Sequence, residues 1–255
     1  TAMCVVLSFL YAVLALAIAP ALARAEPALI AVAANFAEPA KALAARFMEE
    51  TGHKLKISTG STGQLYAQIA NGAPFDVFLS ADAERPRKLE ENDLAVAGSR
   101  FTYAVGRLVL WSPGVDAAGG SFEAAFNGRP HRSIAIANPD LAPYGAAARE
   151  ALRAKGLWND VKGRLVFGQN IAQAHAMVAT GNAEIGFVAR SQLKNSGQKG
   201  AKWPVPAETH APINQDAVLL TRARDNVAAR DFVSFLKGDS AKKIIEDFGY
   251  ASGDG

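Results

Sequence analysis

A strand-and-helix alternation that begins at residue 28, and then restarts in the second half of the chain, constrains this sequence more than any other feature. ALIAVAA at 28–34 reads as a buried strand. FAEPAKALAARFMEETG at 36–52 reads as a helix with Phe36, Ala40, Leu43 and Phe47 on one side, at spacings of four, three and four. Pro39 falls in its first turn, where a missing amide is tolerated. KLKIST at 54–59 is a second strand, STGQLYAQIANG at 61–72 a second helix through Leu65 and Ile69, and FDVFLSAD at 75–82 a third strand. This order predicts a mostly parallel sheet covered on both faces.

The pattern then repeats. FTYAVGRLVLW at 101–111 is long and apolar enough to pass from one lobe to another. RSIAIA at 132–137, GRLVF at 163–167 and AEIGFVA at 183–189 read as strands, and 143–155 and 171–181 as helices. Gly, Pro and charge over 194–212 predict a loop or extended edge. INQDAVLLT at 213–221 is a plausible return crossing, and 227–250 supplies amphipathic helix with Phe232, Leu236, Ile244, Ile245 and Phe248 facing a core. The expected organisation is a first α/β lobe from 26–105 plus 216–255, a second from 106–215, and a cleft between them able to enclose a small ligand. Eight charges in the twelve residues from Asp82 to Asp93 alternate in sign around Leu89 and read as a solvated helix face.

Ahead of this pattern, residues 5–23 form an apolar run, and Ala23-Arg24-Ala25 places small residues at alternating positions before Glu26. Residues 1–25 therefore read as a cleavable secretory signal, with a membrane anchor as the alternative for a run of near-spanning length. Cys4 lies inside this segment, so cleavage leaves a chain with no cysteine and no disulfide despite an oxidising destination. Lys and Arg total 27 against 24 Asp and Glu. Without a concentrated basic stripe, that balance gives no support for a nucleic-acid partner.

The chemistry concentrates where strands turn into helices. Asn35 follows the first strand and can cap backbone groups or donate to a ligand. Ser61 and Thr62, within STGSTGQ at 58–64, sit at the second such turn, where Gly60 and Gly63 allow close backbone approach. NPDLAPYGAAA at 138–148 enters a helix that Pro143 can initiate, with amides around Tyr144 and Gly145 at its start; the Tyr144 ring serves equally well as a hinge or packing aromatic. GQNIAQA at 168–174 repeats the arrangement, with Asn170 as a cap and the Ile171 amide as a donor. Helix starts offer unused amides and a partial positive field, so several of them, with Ser, Thr and Asn, can replace the hydration shell of a tetrahedral oxyanion. Donors alone suit a fully deprotonated anion, which favours molybdate, tungstate or sulfate over phosphate without choosing among the three.

Enzyme signatures are weak by comparison. His53, His131, His175 and His210 are widely spaced and lack metal-ligand spacing, and His175 beside Met177 reads as packing or as a hydrogen-bonded surface residue. Ser61 is not in a G-x-S-x-G elbow, and GSTG lacks the Lys-Ser/Thr ending of a phosphate-binding loop. Asp76 or Asp82 leaves an acid/base enzyme open but unspecified.

AANFAEPAKALAARF at 33–47, STGSTGQLYAQIANGAPFDVFLSAD at 58–82, ANPDLAPYGAAA at 137–148, GQNIAQAHAMVATGNAEIGFVARSQ at 168–192 and FVSFLKGDSAKKIIEDFGY at 232–250 closely resemble the periplasmic molybdate-binding protein family. The resemblance covers nearly all of 28–250. It implies a type II bilobed periplasmic binding-protein fold, two α/β lobes joined by two crossing strands, that captures molybdate or tungstate and delivers it to the permease of an ABC importer. It also implies that Asn35 and Thr62 are first-lobe ligand positions and Tyr144 and Ile171 second-lobe positions, with Ser61 an adjacent donor. Molybdenum would then be held only as its oxyanion, with no cofactor and no catalysis, in the periplasm and by a monomer. Some relatives place a ligand-binding Tyr where this chain has Ala189, so Tyr144 or an amide is expected to compensate. The competing expectations are a receptor for sulfate or another oxyanion, and an exported hydrolase of a small phosphorylated or sulfated substrate.

Overall fold

Apolar spacing builds the first half of the alternation much as local chemistry dictates. Strand β1 (Ala28–Ala33) runs through a 3₁₀ turn (Ala34–Phe36) into helix α1 (Ala37–Thr51), which buries Pro39, Ala40, Leu43 and Phe47. Strand β2 (Leu55–Gly60), helix α2 (Thr62–Ala70), strand β3 (Val77–Leu79) and helix α3 (Glu84–Glu91) follow. Helix α3 buries only Pro86 and Leu89 and pairs its charges along the exposed side, Glu84 with Lys88 and Arg87 with Glu91. These observations come from a computed structural model that describes residues 26–114, 120–127, 131–194 and 196–253. The expected signal over 1–25, with Cys4, lies outside the described residues.

The apolar stretch at 101–111 divides at Arg107 into β4 (Phe101–Gly106) and β5 (Leu108–Ser112), which join different sheets. The second half contributes β6 (Ile134–Ala137), α4 (Pro143–Ala154), α5 (Trp158–Val161), β7 (Leu165–Gly168), α6 (Ile171–Ala179), β8 (Ile185–Ala189), α7 (Arg190–Leu193) and β9 (Ala201–Pro204). The chain returns along β10 (Ile213–Leu219) and ends in α8 (Val227–Leu236), α9 (Asp239–Asp247) and β11 (Ala251–Ser252).

Two mixed sheets result, ordered β11-β4-β10-β3-β1-β2 and β7-β6-β8-β5-β9. In the first, β1 pairs parallel with β2 and β3, while β10 runs antiparallel to β3 and β4. In the second, β6 pairs parallel with β7 and β8, while β5 runs antiparallel to β8 and β9. Each lobe is thus a parallel triplet flanked by the strands that connect to the other lobe, and the helix starts after the parallel strands gather at the cleft. One apolar core, including Trp111, Phe122 and Phe187, fills the second lobe. Two others cover the faces of the first sheet, one around Phe36, Phe47 and Phe232, the other around Leu65, Phe78 and Leu89. Each such fully buried large side chain contributes about 1.5–3 kcal/mol.

One sequence expectation changes in detail, and another is met by an edge strand. The strand expected over 75–82 shrinks to three residues because polar side chains take over its ends: Asp76 Oδ2 accepts from Leu29 N at 2.7 Å, and Ser80 Oγ from Asp82 N at 3.1 Å. The Gly/Pro-rich segment after 194 supplies the edge strand β9, whose alternate residues are buried against β5.

Candidate functional site

Three helix starts and the 3₁₀ turn that holds Asn35 converge on one very small cavity, lined by Asn35, Ser61, Thr62, Tyr144 and Ile171 together with Gly60, Ala81, Pro143 and Asn170. All five residues singled out from sequence therefore meet, drawn from both lobes. A much larger, open groove beside the crossings, lined by Arg107, Leu108, Lys202, His210 and Ile213 among others, contains none of these helix starts. Convergent donors rather than volume identify the site.

Each start is prepared differently. Ser61 is the N-cap of α2, its Oγ accepting from Gln64 N at 3.2 Å. Thr62 Oγ1 accepts from Ala81 N at 3.2 Å, which fixes the hydroxyl oxygen and leaves its hydrogen available. Asn170 caps α6 by accepting from Gln173 N at 3.0 Å, so the next amide, on Ile171, lies in the first turn with no intrahelical acceptor. The Ile171 side chain is buried, and its chemistry at the cavity is that of its backbone.

Helix α4 begins with Pro143 at its first position, which places the Tyr144 amide next. Gly145 has to be glycine there, because a Cβ would lie 2.1 Å from the Ala137 carbonyl oxygen. The Tyr144 side chain is 1% exposed, and its Oη accepts from Gln215 Nε2 at 3.2 Å, so the side chain packs at the crossing, while its amide lies in the first turn of α4 at the cavity. Ala189 is buried at the end of β8, outside the cavity lining, and its amide donates to Gln192 Oε1 at 2.9 Å.

Asn35 differs from expectation. It caps no helix: α1 starts at Ala37, its N-cap position is Phe36, and no side chain bonds there. Its Nδ2 donates instead to Gln215 Oε1 at 2.8 Å and to Tyr250 Oη at 3.0 Å. Tyr250 Oη donates to Asn35 O at 2.8 Å, Ser191 Oγ lies 2.9 Å from Tyr250 Oη, and Tyr103 Oη lies 3.0 Å from Ser80 O and 3.2 Å from Gln215 Oε1. Asn35, Tyr103, Tyr144, Ser191, Gln215 and Tyr250 thus form a buried network beneath the cavity that links the two lobes. Burial pushes the Tyr103 and Tyr144 hydroxyls well above their ordinary range and Tyr250 up to about 12, so all three remain neutral hydrogen-bonding groups.

Apart from Asn35 and Tyr144, this network was missed by sequence reasoning. The available signal was the polar run Asn214-Gln215-Asp216 at the start of the return crossing, where Gln215 is 0% exposed.

The cleft is closed. Gly63 N donates to Leu141 O at 2.9 Å, Gln64 Nε2 to Gln169 Oε1 at 3.2 Å, and Arg85 Nη2 to Asp140 O at 3.3 Å, all across its mouth. Arg85 also pairs with Asp82 and brings a cation to the entrance without lining the cavity. Among the described residues no cluster of His, Cys, Asp or Glu is arranged to hold a metal cation.

The profile of the family described as bacterial extracellular solute-binding protein matches residues 28–251. The molybdate-binding protein ModA of Azotobacter vinelandii is 52% identical over 233 residues, covering 89% of this chain and 91% of its own. This chain belongs to the molybdate-binding protein family. The molybdate-binding protein ModA of Rhodobacter capsulatus is 48% identical over 230 residues, covering 90% of each chain. Among solved structures, the periplasmic molybdate-binding protein of Azotobacter vinelandii superposes with a TM-score of 0.83 at 40% identity, over 88% of this chain and 98% of that one. The bilobed α/β architecture is accordingly the family's own, and these relatives are named as binding proteins rather than enzymes.

Proposed function

We propose that this protein captures molybdate, and tungstate with it, between its two lobes and delivers the anion to the membrane permease of an ABC importer. The observation that carries this reading is the convergence of Asn35, Ser61, Thr62, Tyr144 and Ile171, from both lobes, on one cavity whose lining includes no Lys or Arg. Amides at helix starts and small hydroxyls stabilise a dianion in such a place by dipole and hydrogen bond. Charge does not separate molybdate from sulfate, since both carry two negative charges. Size does: a cavity fitted to longer metal–oxygen bonds leaves sulfate with stretched, weak hydrogen bonds.

In this reading the first lobe comprises 26–105 and 216–255 and the second 106–215, and the two crossings act as the hinge. Binding is reversible and non-covalent, which suits a transport receptor rather than an enzyme, and no cofactor is needed. Cleavage of residues 1–25 would release a periplasmic monomer. Among the described residues no helix is long and apolar enough to cross a membrane.

The test is calorimetric titration of ligand-stripped protein with molybdate, then competition with tungstate, sulfate and phosphate at matched pH and ionic strength. The expected result is one-to-one molybdate binding, displaced by tungstate and barely by excess sulfate or phosphate. Selective sulfate binding would keep the receptor and change its cargo. No oxyanion binding by folded protein, or turnover of a phosphate or sulfate ester, would overturn the assignment.

A further inference from the structure

The buried network beneath the cavity can be drawn in two directions on one set of heavy atoms. In the first, Asn35 Nδ2 donates inward to Gln215 Oε1 and Tyr250 Oη, and Gln215 Nε2 donates to Tyr144 Oη. Both hydrogens of the Asn35 amide are then engaged, and its Oδ1 accepts nothing from the protein. Among the described residues the one side-chain polar atom that is fully buried and without a partner is His175 Nε2, so Asn35 Oδ1 is open to the cavity that Asn35 lines. An acceptor in that position meets the oxygens of an anion with repulsion.

Reversing both carboxamides exchanges N for O at unchanged positions. Asn35 Oδ1 then accepts from Gln215 Nε2 across 2.8 Å and from Tyr250 Oη across 3.0 Å, the tyrosine turning its one hydrogen away from the Asn35 carbonyl oxygen, while Gln215 Oε1 accepts from Tyr144 Oη across 3.2 Å. Tyr103 Oη keeps Ser80 O as its acceptor at 3.0 Å and takes a bond from Gln215 Nε2. Ser191 Oγ keeps the Asn35 carbonyl oxygen at 3.2 Å. In this second direction Asn35 Nδ2 faces the cavity as a donor.

Resting on the reading of the cleft as an oxyanion site, we infer that Gln215 is a positioning residue that sets which edge of the Asn35 carboxamide faces the anion, and that anion binding selects the second direction. Gln215 never touches the ligand in this arrangement. It lies on β10, a strand of the first sheet, at the point where the pairing of β10 with β4 shifts register, between Gln215 and Asp216, and its bond to Tyr144 reaches helix α4, which packs on the second sheet. The orientation of Asn35 is therefore tied to closure: opening the cleft removes the Tyr144 partner that completes either direction.

Gln215→Glu tests this, because an ionised carboxylate only accepts and holds Asn35 Nδ2 inward. By calorimetry with molybdate, Gln215→Glu is expected to weaken binding roughly tenfold to hundredfold in the otherwise native chain. In an Asn35→Ser background, where a rotating hydroxyl suits either neighbour, the same change is expected to cost less than about threefold. Equal losses in the two backgrounds would mean that the added charge acts directly on the anion, and would overturn the positioning role; so would no loss in either.

A second measurement does not depend on variants that fold or bind. The side-chain amide resonances of Asn35 and Gln215, assigned in the native chain, are expected to move together on saturation with molybdate. Movement of Asn35 with a stationary Gln215 pair would overturn the inference. Absence of molybdate binding by the native chain would instead overturn the functional reading.

Discussion

Gly106→Ala separates the energetics of closure from those of folding. Gly106 ends β4, paired with Ile213 of the return crossing, and a Cβ built there lies 2.2 Å from Tyr144 Oη, 2.9 Å from Tyr144 Cζ and 2.8 Å from Gln215 Nε2. Ordinary contact begins near 3.4 Å, so the Tyr144 hydroxyl has to retreat by about 1.2 Å. The φ of Gly106 does not demand glycine; only space does. Gly106 ends a strand of the first sheet and Tyr144 starts a helix packed on the second, so the chain can relieve the clash by opening the cleft, and the penalty falls on the closed form. Overpacking of this kind costs about 1–3 kcal/mol, and about 2 kcal/mol corresponds to roughly thirtyfold in affinity. Calorimetry is expected to show molybdate binding weakened by that factor, while the melting temperature of ligand-free protein moves little and its rise on adding molybdate shrinks. Adding Tyr144→Phe removes the clashing oxygen and is expected to restore part of the affinity. Native-like binding within about twofold, or no recovery in the double variant, would refute the argument that the Gly106–Tyr144 contact belongs to closure.

Three further outcomes are expected. Thr62→Val keeps the shape but removes both the acceptor for Ala81 N and the hydroxyl hydrogen at the cavity, so molybdate affinity should fall about tenfold or more and urea unfolding should show a loss of about 1–3 kcal/mol; unchanged affinity would remove Thr62 from the site. Ile171→Pro deletes the amide at a helix position that accepts proline, after an Asn170 already extended at φ −149 and ψ 174, so the variant should retain its far-ultraviolet helix signal and bind molybdate at least about tenfold more weakly; full affinity would exclude that amide as a donor. Desolvation lowers the pKa of His175, which stacks on Trp111 with its Nε2 unpartnered. The unfolded chain then takes up a proton first, so stability present above the ordinary histidine pKa, about 6.5, is lost as pH falls through the lowered native value. Urea midpoints for His175→Phe should lack this component, and parallel pH profiles for the two proteins would refute it.

The roles of Ser61 and Asn170 were readable because a cap is a local event: the side chain bonds an amide three residues ahead, and the sequence carries both partners. The place of Asn35 at the end of β1 facing the cavity was readable, but its bonding was not. Its partners Gln215 and Tyr250 lie 180 and 215 positions away, and no local pattern encodes which way a carboxamide turns.

By itself, then, the sequence determined the two strand-and-helix series, the helix starts that carry donors and the family. Hydrophobic period and capping act over a few residues, and the motifs kept their order along the chain. Tertiary structure alone decided that these starts share one cavity, that the Tyr144 ring packs at the crossing while its amide lies at the cavity, and that Gln215 of the first sheet bonds to Tyr144 of a helix on the second. Those outcomes depend on how two sheets sit across two crossings, and the network exists only where residues from distant parts of the chain are buried together and must satisfy one another's hydrogen bonds.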